Sequence, residues 1–247
     1  MKFNNLPIDS KILNRRLFEL VGFTDDWLQF ESKESDFIAL KTPHYLQIKI
    51  DSKDLDLINF FEDHGFRFAE FKIYRKLDTT SDLISNAVLY PFSSGEVTDR
   101  KRFSEVLKIA ESSTFEDRFT MDHHFSETAS RERNLSFIKR SYQRKDEFLL
   151  EYFNQQNNRI AGFQTGKFIT RSEVLLHLNG IEKGLDEQNY RERFDSLLYN
   201  WLKNMKVKFV HAVSSGLNMN EMNLALTRQG YTIESTSVIL RKIYRND

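Results

Sequence analysis

The stretch EVLLHLNGIEKGLDEQNYRERFDSLLYNWLK, Glu173 to Lys203, together with its continuation to Tyr244, decides the fold. It reads as a strand from Val174 to Leu178, a turn holding Gly180 and Gly184, a long helix, a second strand, a short helix and a final strand. Tyr190, Phe194, Leu197, Leu198, Trp201 and Leu202 recur at spacings of three and four, an apolar stripe that packs a helix onto a sheet. Val207, Phe209, His211 and Val213 alternate, so that set is expected to face the core. Asn218 or Asn220 can cap a short helix that Gly230 ends in the left-handed conformation. This order sets a helix N-terminus, with its free backbone N–H groups, beside the end of a central strand, an arrangement suited to an anionic ligand.

The rest of the chain repeats the theme. Tyr45–Ile50 alternates as a strand, Asp51–Asp54 offers helix caps, and Leu55, Ile58, Phe60 and Phe61 continue as a helix that Gly65 closes. Phe66–Leu77 then returns as a strand. Asp63-His64-Gly65-Phe66 echoes Arg228-Gln229-Gly230-Tyr231, and both following strands finish in a basic pair, Arg75-Lys76 and Arg241-Lys242. Two related halves are therefore expected, residues 1–85 and 86–247, joined by the polar run from Asp78 to Asn86. In the second half a strand is expected from Val88 to Pro91, a helix from Asp99 to Glu111 and another from Ala129 to Tyr142. Strands follow at Phe148–Phe153, Arg159–Thr170 and Glu173–Asn179, with Asn157-Asn158 at a hairpin turn. In the opening segment, Pro7 sets an extended start, and Asp9 or Ser10 can cap the turn that follows.

Composition excludes several classes. Lys plus Arg and Asp plus Glu are 36 each, so no net field recruits nucleic acid or an anionic membrane. The chain has no cysteine, which removes disulfides, thiolate nucleophiles and most structural zinc sites and fits a reducing, cytoplasmic compartment. No apolar run approaches the twenty or so residues of a membrane span, and no signal-peptide core stands at the N-terminus. Asp122, His123 and His124 are the one imidazole-rich group, but adjacent histidines do not share a helix face and no second cluster at ligand spacing accompanies them, so no metal is expected.

Three stretches resemble the acyl-CoA-dependent N-acyltransferases of the GNAT superfamily, and more narrowly the branch of TDP-fucosamine acetyltransferases of surface-polysaccharide synthesis. Leu6-Pro7-Ile8-Asp9-Ser10 is similar to that branch's Leu-Pro-x-Asp-Ser start. Phe115-Glu116-Asp117-Arg118-Phe119, with Asp122 and Phe125, is similar to its Phe-x-x-Ser-Arg-Phe-x-x-Asp-x-x-Phe segment, with Asp117 where serine is usual. Gly230-Tyr231 and the strand after it are similar to its closing Gly-Phe and final strand. The resemblance implies an α/β (α+β) fold: a smaller half-GNAT-like domain, then a complete acyltransferase domain with a mixed, mostly antiparallel sheet. It also implies acetyl-CoA or another acyl-CoA as co-substrate, a nucleotide-linked aminosugar as acceptor, and a homodimer as one assembly the fold allows.

Site residues follow from the same resemblance. The CoA pyrophosphate loop, Gln/Arg-x-x-Gly-x-Gly/Ala in the family, aligns with Gln188, Asn189, Tyr190, Arg191 and Arg193, where neither glycine is present. The alternative is a loop displaced toward Gly180–Leu185, bringing in Ile181 and Gly184, with the arginines adding charge and Asn220 near the donor. The family's general acid, a tyrosine four residues before the glycine, falls at Leu226, which has no proton to give. His177 and Glu173, and less centrally His211, are the candidate bases. Phe115, Arg118, Phe119 and Asp122 are expected on the acceptor side. Either Arg118 and Asp122 face the sugar nucleotide, or they pair with each other while the phenylalanines anchor the loop. Two other functions fit the same residues: a GNAT-fold binding or scaffolding module without catalysis, and acylation of a protein or peptide amine.

Overall fold

The computed structural model describes residues 1–23, 29–80, 91–113, 115, 117–185, 187–227 and 230–244. Its elements in chain order are β1 (Lys2–Asn5), α1 (Pro7–Ile12), β2 (Leu17–Val21), α2 (Phe30–Lys41), β3 (Tyr45–Asp51), α3 (Leu55–Asp63) and β4 (Arg67–Asp78). Then come β5 (Phe92–Glu96), α4 (Arg100–Ser112), α5 (Arg118–Met121), α6 (Glu127–Gln143), β6 (Glu147–Asn154), β7 (Arg159–Phe168), β8 (Glu173–Ile181), α7 (Glu187–Asn204), β9 (Phe209–Ser215), α8 (Met219–Thr227) and β10 (Thr232–Ile243). All ten strands join one sheet in the order β1-β2-β3-β10-β4-β9-β8-β7-β6-β5. It is parallel at β2–β3 and β8–β9 and antiparallel at the other pairings, a mixed α/β architecture.

Local signals account for most boundaries. Asp54, Asp99, Ser126 and Asn218 each accept a backbone N–H in the first turn of the helix that follows, satisfying a donor the helix itself cannot. Gly65 (φ +84°) and Gly230 (φ +74°) take the left-handed conformation just before β4 and β10. Alternation along β6 separates two layers. Phe148, Leu150 and Tyr152 point at the α7 stripe of Phe194, Leu197, Leu198 and Leu202, while Leu149 points the other way, toward Val106 of α4 and Ile138 of α6. At the other end of the sheet, β2, β3 and β10 pack an aromatic-rich cluster of Phe30, Phe37, Phe61 and Phe66.

The topology places β10, the last strand, between β3 and β4, and β4 between β10 and β9. Strands from the two ends of the chain therefore interleave, and the first eighty residues supply a strand to the middle of the sheet. The expected division between residues 85 and 86, and most of the expected strand at Val88–Pro91, lie outside the described residues.

Two local expectations are corrected. In β9 the buried set is Val210, Ala212 and Ser214, with Phe209, His211 and Val213 half-buried. The register with β4 turns Ala212 and Ser214 toward the α7–α8 side, so the core set is offset by one residue from the more hydrophobic one. Asp9 and Ser10 do not cap α1. Pro7 opens that helix, Ser10 Oγ accepts the Leu17 N–H at 2.9 Å, and Asp9 takes Arg133 Nε at 2.6 Å, so both tie α1 to its neighbours.

Candidate functional site

The parallel pair β8–β9 is a fork. Its register covers Glu173–Leu176 against Phe209–Ala212 and ends there, after which the two strands separate. The pairing of β8 with β7 is irregular at the same level, because Thr165 alone stands opposite His177 and Leu178. The Thr165 hydroxyl pins this bulge: it accepts the Leu178 N–H at 2.9 Å and donates to the Leu178 carbonyl at 3.0 Å. With both backbone groups of Leu178 turned toward β7, strand alternation turns those of a neighbour, His177 or Asn179, toward the gap. Beyond the bulge, Gly180 is required by close approach, since a Cβ there would stand 2.5 Å from the Phe163 ring and 2.8 Å from Ser113 Oγ.

A cavity of about 1130 Å³ occupies the fork and crosses the sheet. On the α6 side its lining includes Phe115, Arg133, Phe137, Arg140, Glu70 and Lys72. On the α7–α8 side it includes Arg191, Ser214, Asn218, Glu221, Asn223 and Thr227. The loop joining β8 to α7 closes one end: Glu182 N–H donates to the Ala161 carbonyl at 2.9 Å, the Glu182 carboxylate pairs with Arg159, and Gly184 sits at φ +92°. α7 begins at Glu187, and Leu185 before it and Arg191 in its second turn both line the groove.

A smaller cavity of about 30 Å³ adjoins the fork and shares Leu176, His177, Asn179, Arg191, Val213 and Glu221 with the larger one. Its wall is a buried polar network. Arg75 of β4 donates to Ser214 Oγ and Glu221 Oε1, both at 2.5 Å, and lies 4.9 Å from the centre of the Tyr231 ring. Tyr199 donates to the Tyr231 hydroxyl at 3.3 Å. Burial pushes Tyr231 up to about 12 and Tyr199 well above the usual phenol range, so both remain protonated.

His177 is the first β8 residue beyond the paired segment and lines both cavities. Burial lowers its pKa, opposed in part by the Glu147 carboxylate, so the imidazole is neutral and able to accept a proton. Ile181, Gly184, Arg191 and Phe115 also line the groove. The other expected residues are placed elsewhere. Glu173 stands at the paired start of β8, its carbonyl accepting the N–H groups of Ile169 and Thr170. Leu226 packs against the α7 core, and His211 faces Glu234 at 3.2 Å. Tyr190 and Arg193 turn to Phe92, at 5.2 and 6.0 Å from its ring. The side chains of Gln188, Asn189 and Asn220 lie outside the described residues.

Neither reading of Arg118 and Asp122 matches their surroundings. Arg118 is buried and bound to Glu70 Oε2 at 2.8 Å and Gln47 Oε1 at 3.1 Å, behind the groove wall. Asp122 binds Arg241 and, at 2.7 Å, His124 Nδ1. The partners come from β3, β4 and β10, which the interleaved topology lays beside α5. Phe119 does anchor the segment, fully buried against Tyr45 and Phe125. Asp122, His123 and His124 bring ligand atoms within 4.8 Å of one another, but Arg241 and His124 already hold the Asp122 carboxylate.

Sequence reasoning missed Glu70, Lys72 and Arg75, which reach the fork only because β4 inserts beside β9. It also missed Arg133, Phe137 and Arg140, although their spacing of four and three marks one face of α6.

No protein-family model matches the chain, and no curated protein matches it either. Solved structures do. A GCN5-related N-acetyltransferase from Sphaerobacter thermophilus aligns with a TM-score of 0.66 at 12% identity, covering 99% of this chain and 76% of that one. A functionally unknown conserved protein from Staphylococcus epidermidis aligns at 0.66 and 13% identity, covering 96% and 89%. A tandem GNAT protein from the clavulanic acid biosynthesis pathway aligns at 0.59 and 14% identity, covering 94% and 76%. At such identities the likeness is one of fold: the chain has the α/β, mixed-sheet fold of the GNAT N-acetyltransferases. Among the described residues no helix is long and apolar enough to cross a membrane.

Proposed function

We propose that the chain is an acyl-CoA-dependent N-acyltransferase. The observation that carries this reading is the cavity through the fork, open to the N-terminus of α7 on one face of the sheet and to a charged wall on the other. Two substrates can thus meet from opposite faces, which is the positioning that a transfer reaction needs.

The donor enters on the α7 side. Its pyrophosphate lies over the Glu182–Leu185 loop and the first N–H groups of α7, with Lys183 and Arg191 adding positive charge. Gly184 in this loop replaces the glycines absent from Gln188–Arg193, which agrees with the displaced-loop alternative. The thioester carbonyl accepts a backbone N–H in the gap at His177–Asn179, and that bond strengthens as the oxyanion forms. The acceptor amine approaches from the α6 side, and neutral His177 takes its proton as nitrogen attacks the carbonyl carbon. The carbon–sulfur bond then breaks. Because Leu226 is apolar, the departing sulfur takes its proton from solvent in the groove.

The nucleotide-linked aminosugar acceptor rests on the sequence resemblance. In this arrangement Arg118, Phe119 and Asp122 set the position of the acceptor loop, while Phe115, α6 and β4 touch the substrate. Acetyl-CoA with a panel of amines that includes nucleotide-linked aminosugars should release free thiol in an amine-dependent way. The core position of Leu226 favours one rival, a binding module that has lost catalysis. That rival gains if the donor binds while no amine in the panel releases thiol.

A further inference from the structure

The wall of the groove has a charge arrangement that the transfer chemistry does not itself require. Four carboxylates line the cavity, and a guanidinium holds each of them. Glu70 is paired with Arg118 at 2.8 Å, Asp117 with Arg133 at 3.1 Å, Glu221 with Arg75 at 2.5 Å, and Glu182 with Arg159. Arg133 is also bound to Asp9 at 2.6 Å. Two basic side chains on the same wall are differently placed. Arg140 shares Glu147 with Arg144 and the Ser141 hydroxyl; its Nε lies 3.0 Å from that carboxylate without forming a hydrogen bond. Lys72 Nζ is 3.7 Å from Glu70, which Arg118 already holds, and a quarter of its side chain is exposed.

The α6 face presents Phe137, with the guanidinium carbons of Arg133 and Arg140 each 4.8 Å from its ring centre. These contacts with the ring restrict both guanidiniums, so Arg140 loses less freedom on meeting a ligand. A guanidinium and an ammonium lining one groove are the groups that recognise the oxygens of a carboxylate or phosphate.

We propose that this wall is an anion subsite of the acceptor pocket. Resting on the acyltransferase reading, it assigns the substrate class: an amine that also carries a carboxylate or phosphate, bound by Arg140 over Phe137, with Lys72 providing the second charge. Lys72 comes from β4, so the N-terminal half of the chain takes part in choosing the acceptor. Burial and the nearby Arg118 lower the Lys72 pKa, the condition in which an arriving anion is most favourable.

The test measures melting of the full chain at saturating CoA and constant ionic strength, titrated with inorganic phosphate, with malonate, or with chloride as control. Phosphate or malonate should raise the melting temperature further, and which of them acts separates a phosphate-bearing acceptor from a carboxylate-bearing one. Arg140→Gln and Lys72→Met should each weaken that anion by about tenfold or more, the typical loss for a hydrogen bond to a charged group, while keeping the CoA response. If Lys72→Met does not fold, Arg140→Gln carries the test. No rise with either anion, or a rise that the variants retain, overturns the proposal. Should CoA itself give no response, the same titration without CoA still reads the subsite, so the two readings fail separately.

Discussion

Replacing Thr165 by valine probes the bulge on which the fork depends. Thr165 is 1% exposed, and its hydroxyl accepts the Leu178 N–H at 2.9 Å and donates to the Leu178 carbonyl at 3.0 Å. Valine keeps nearly the same shape and removes both bonds. The carbonyl retains Gln164 Nε2 at 3.3 Å, so the loss falls mainly on a part-buried N–H left without a partner. Such a group costs about 1–3 kcal/mol. For a chain of this length each kcal/mol lowers the melting temperature by about 2–4 °C, which gives a fall of about 4–8 °C for the middle of that range. Thr165→Ser, which restores the hydroxyl, should recover most of it. The assay is thermal denaturation of the three proteins with and without acetyl-CoA. Because the bulge aims the backbone at the gap, Thr165→Val should also weaken the response to acetyl-CoA. A Thr165→Val protein that melts within about 1 °C of wild type, with an unchanged ligand response, would refute this account of the bulge.

Three further outcomes are expected. Arg75→Met leaves the Glu221 carboxylate without its cation; since Glu221 is 24% exposed, the penalty falls below that of a fully buried pair, at about 2–3 kcal/mol in chemical denaturation, and Arg75→Met/Glu221→Gln should recover part of it. Burial holds the folded His177 pKa below its ordinary 6.5, so the unfolded chain binds a proton before the folded one does as pH falls. Stability from this group is therefore complete above about pH 6.5 and declines below it, a slope that His177→Gln should remove, and the acid limb of kcat/KM should have its midpoint under 6.5. Gly184→Ala meets no neighbouring atom but forces a left-handed residue at φ +92°, so the donor loop should be strained by about 1–2 kcal/mol and acetyl-CoA affinity should drop about five- to thirtyfold by calorimetry.

Much of the fold was legible because it rests on local signals. The α7 stripe, the glycines before β4 and β10, and the acidic cap at Asp54 each specify an element without reference to the rest of the chain. Helix α2 was not legible: its buried face is Phe30, Glu34 and Phe37, and the central residue is a carboxylate that binds Lys242 and the Tyr244 hydroxyl across the sheet. An apolar pattern cannot show a charge buried by a partner two hundred residues away. The same limit governed the site. His177, Ile181, Gly184 and Arg191 lie within one β–loop–α segment, and the local reading brought them to the groove. Glu70, Lys72 and Arg75 arrive through the insertion of β4 between β9 and β10, a pairing no local signal encodes. The misassigned partners of Arg118 and Asp122 have the same origin.

The central claim is that the fork and the α7 N-terminus hold an acyl-CoA. The most direct measurement is the melting temperature of the full chain with acetyl-CoA at about a hundred times its dissociation constant, where a ligand specific to the folded state adds about 2.7 kcal/mol. The account predicts a rise of about 5–11 °C, reduced in Gly184→Ala. A melting temperature that stays flat through millimolar acetyl-CoA and CoA would contradict it.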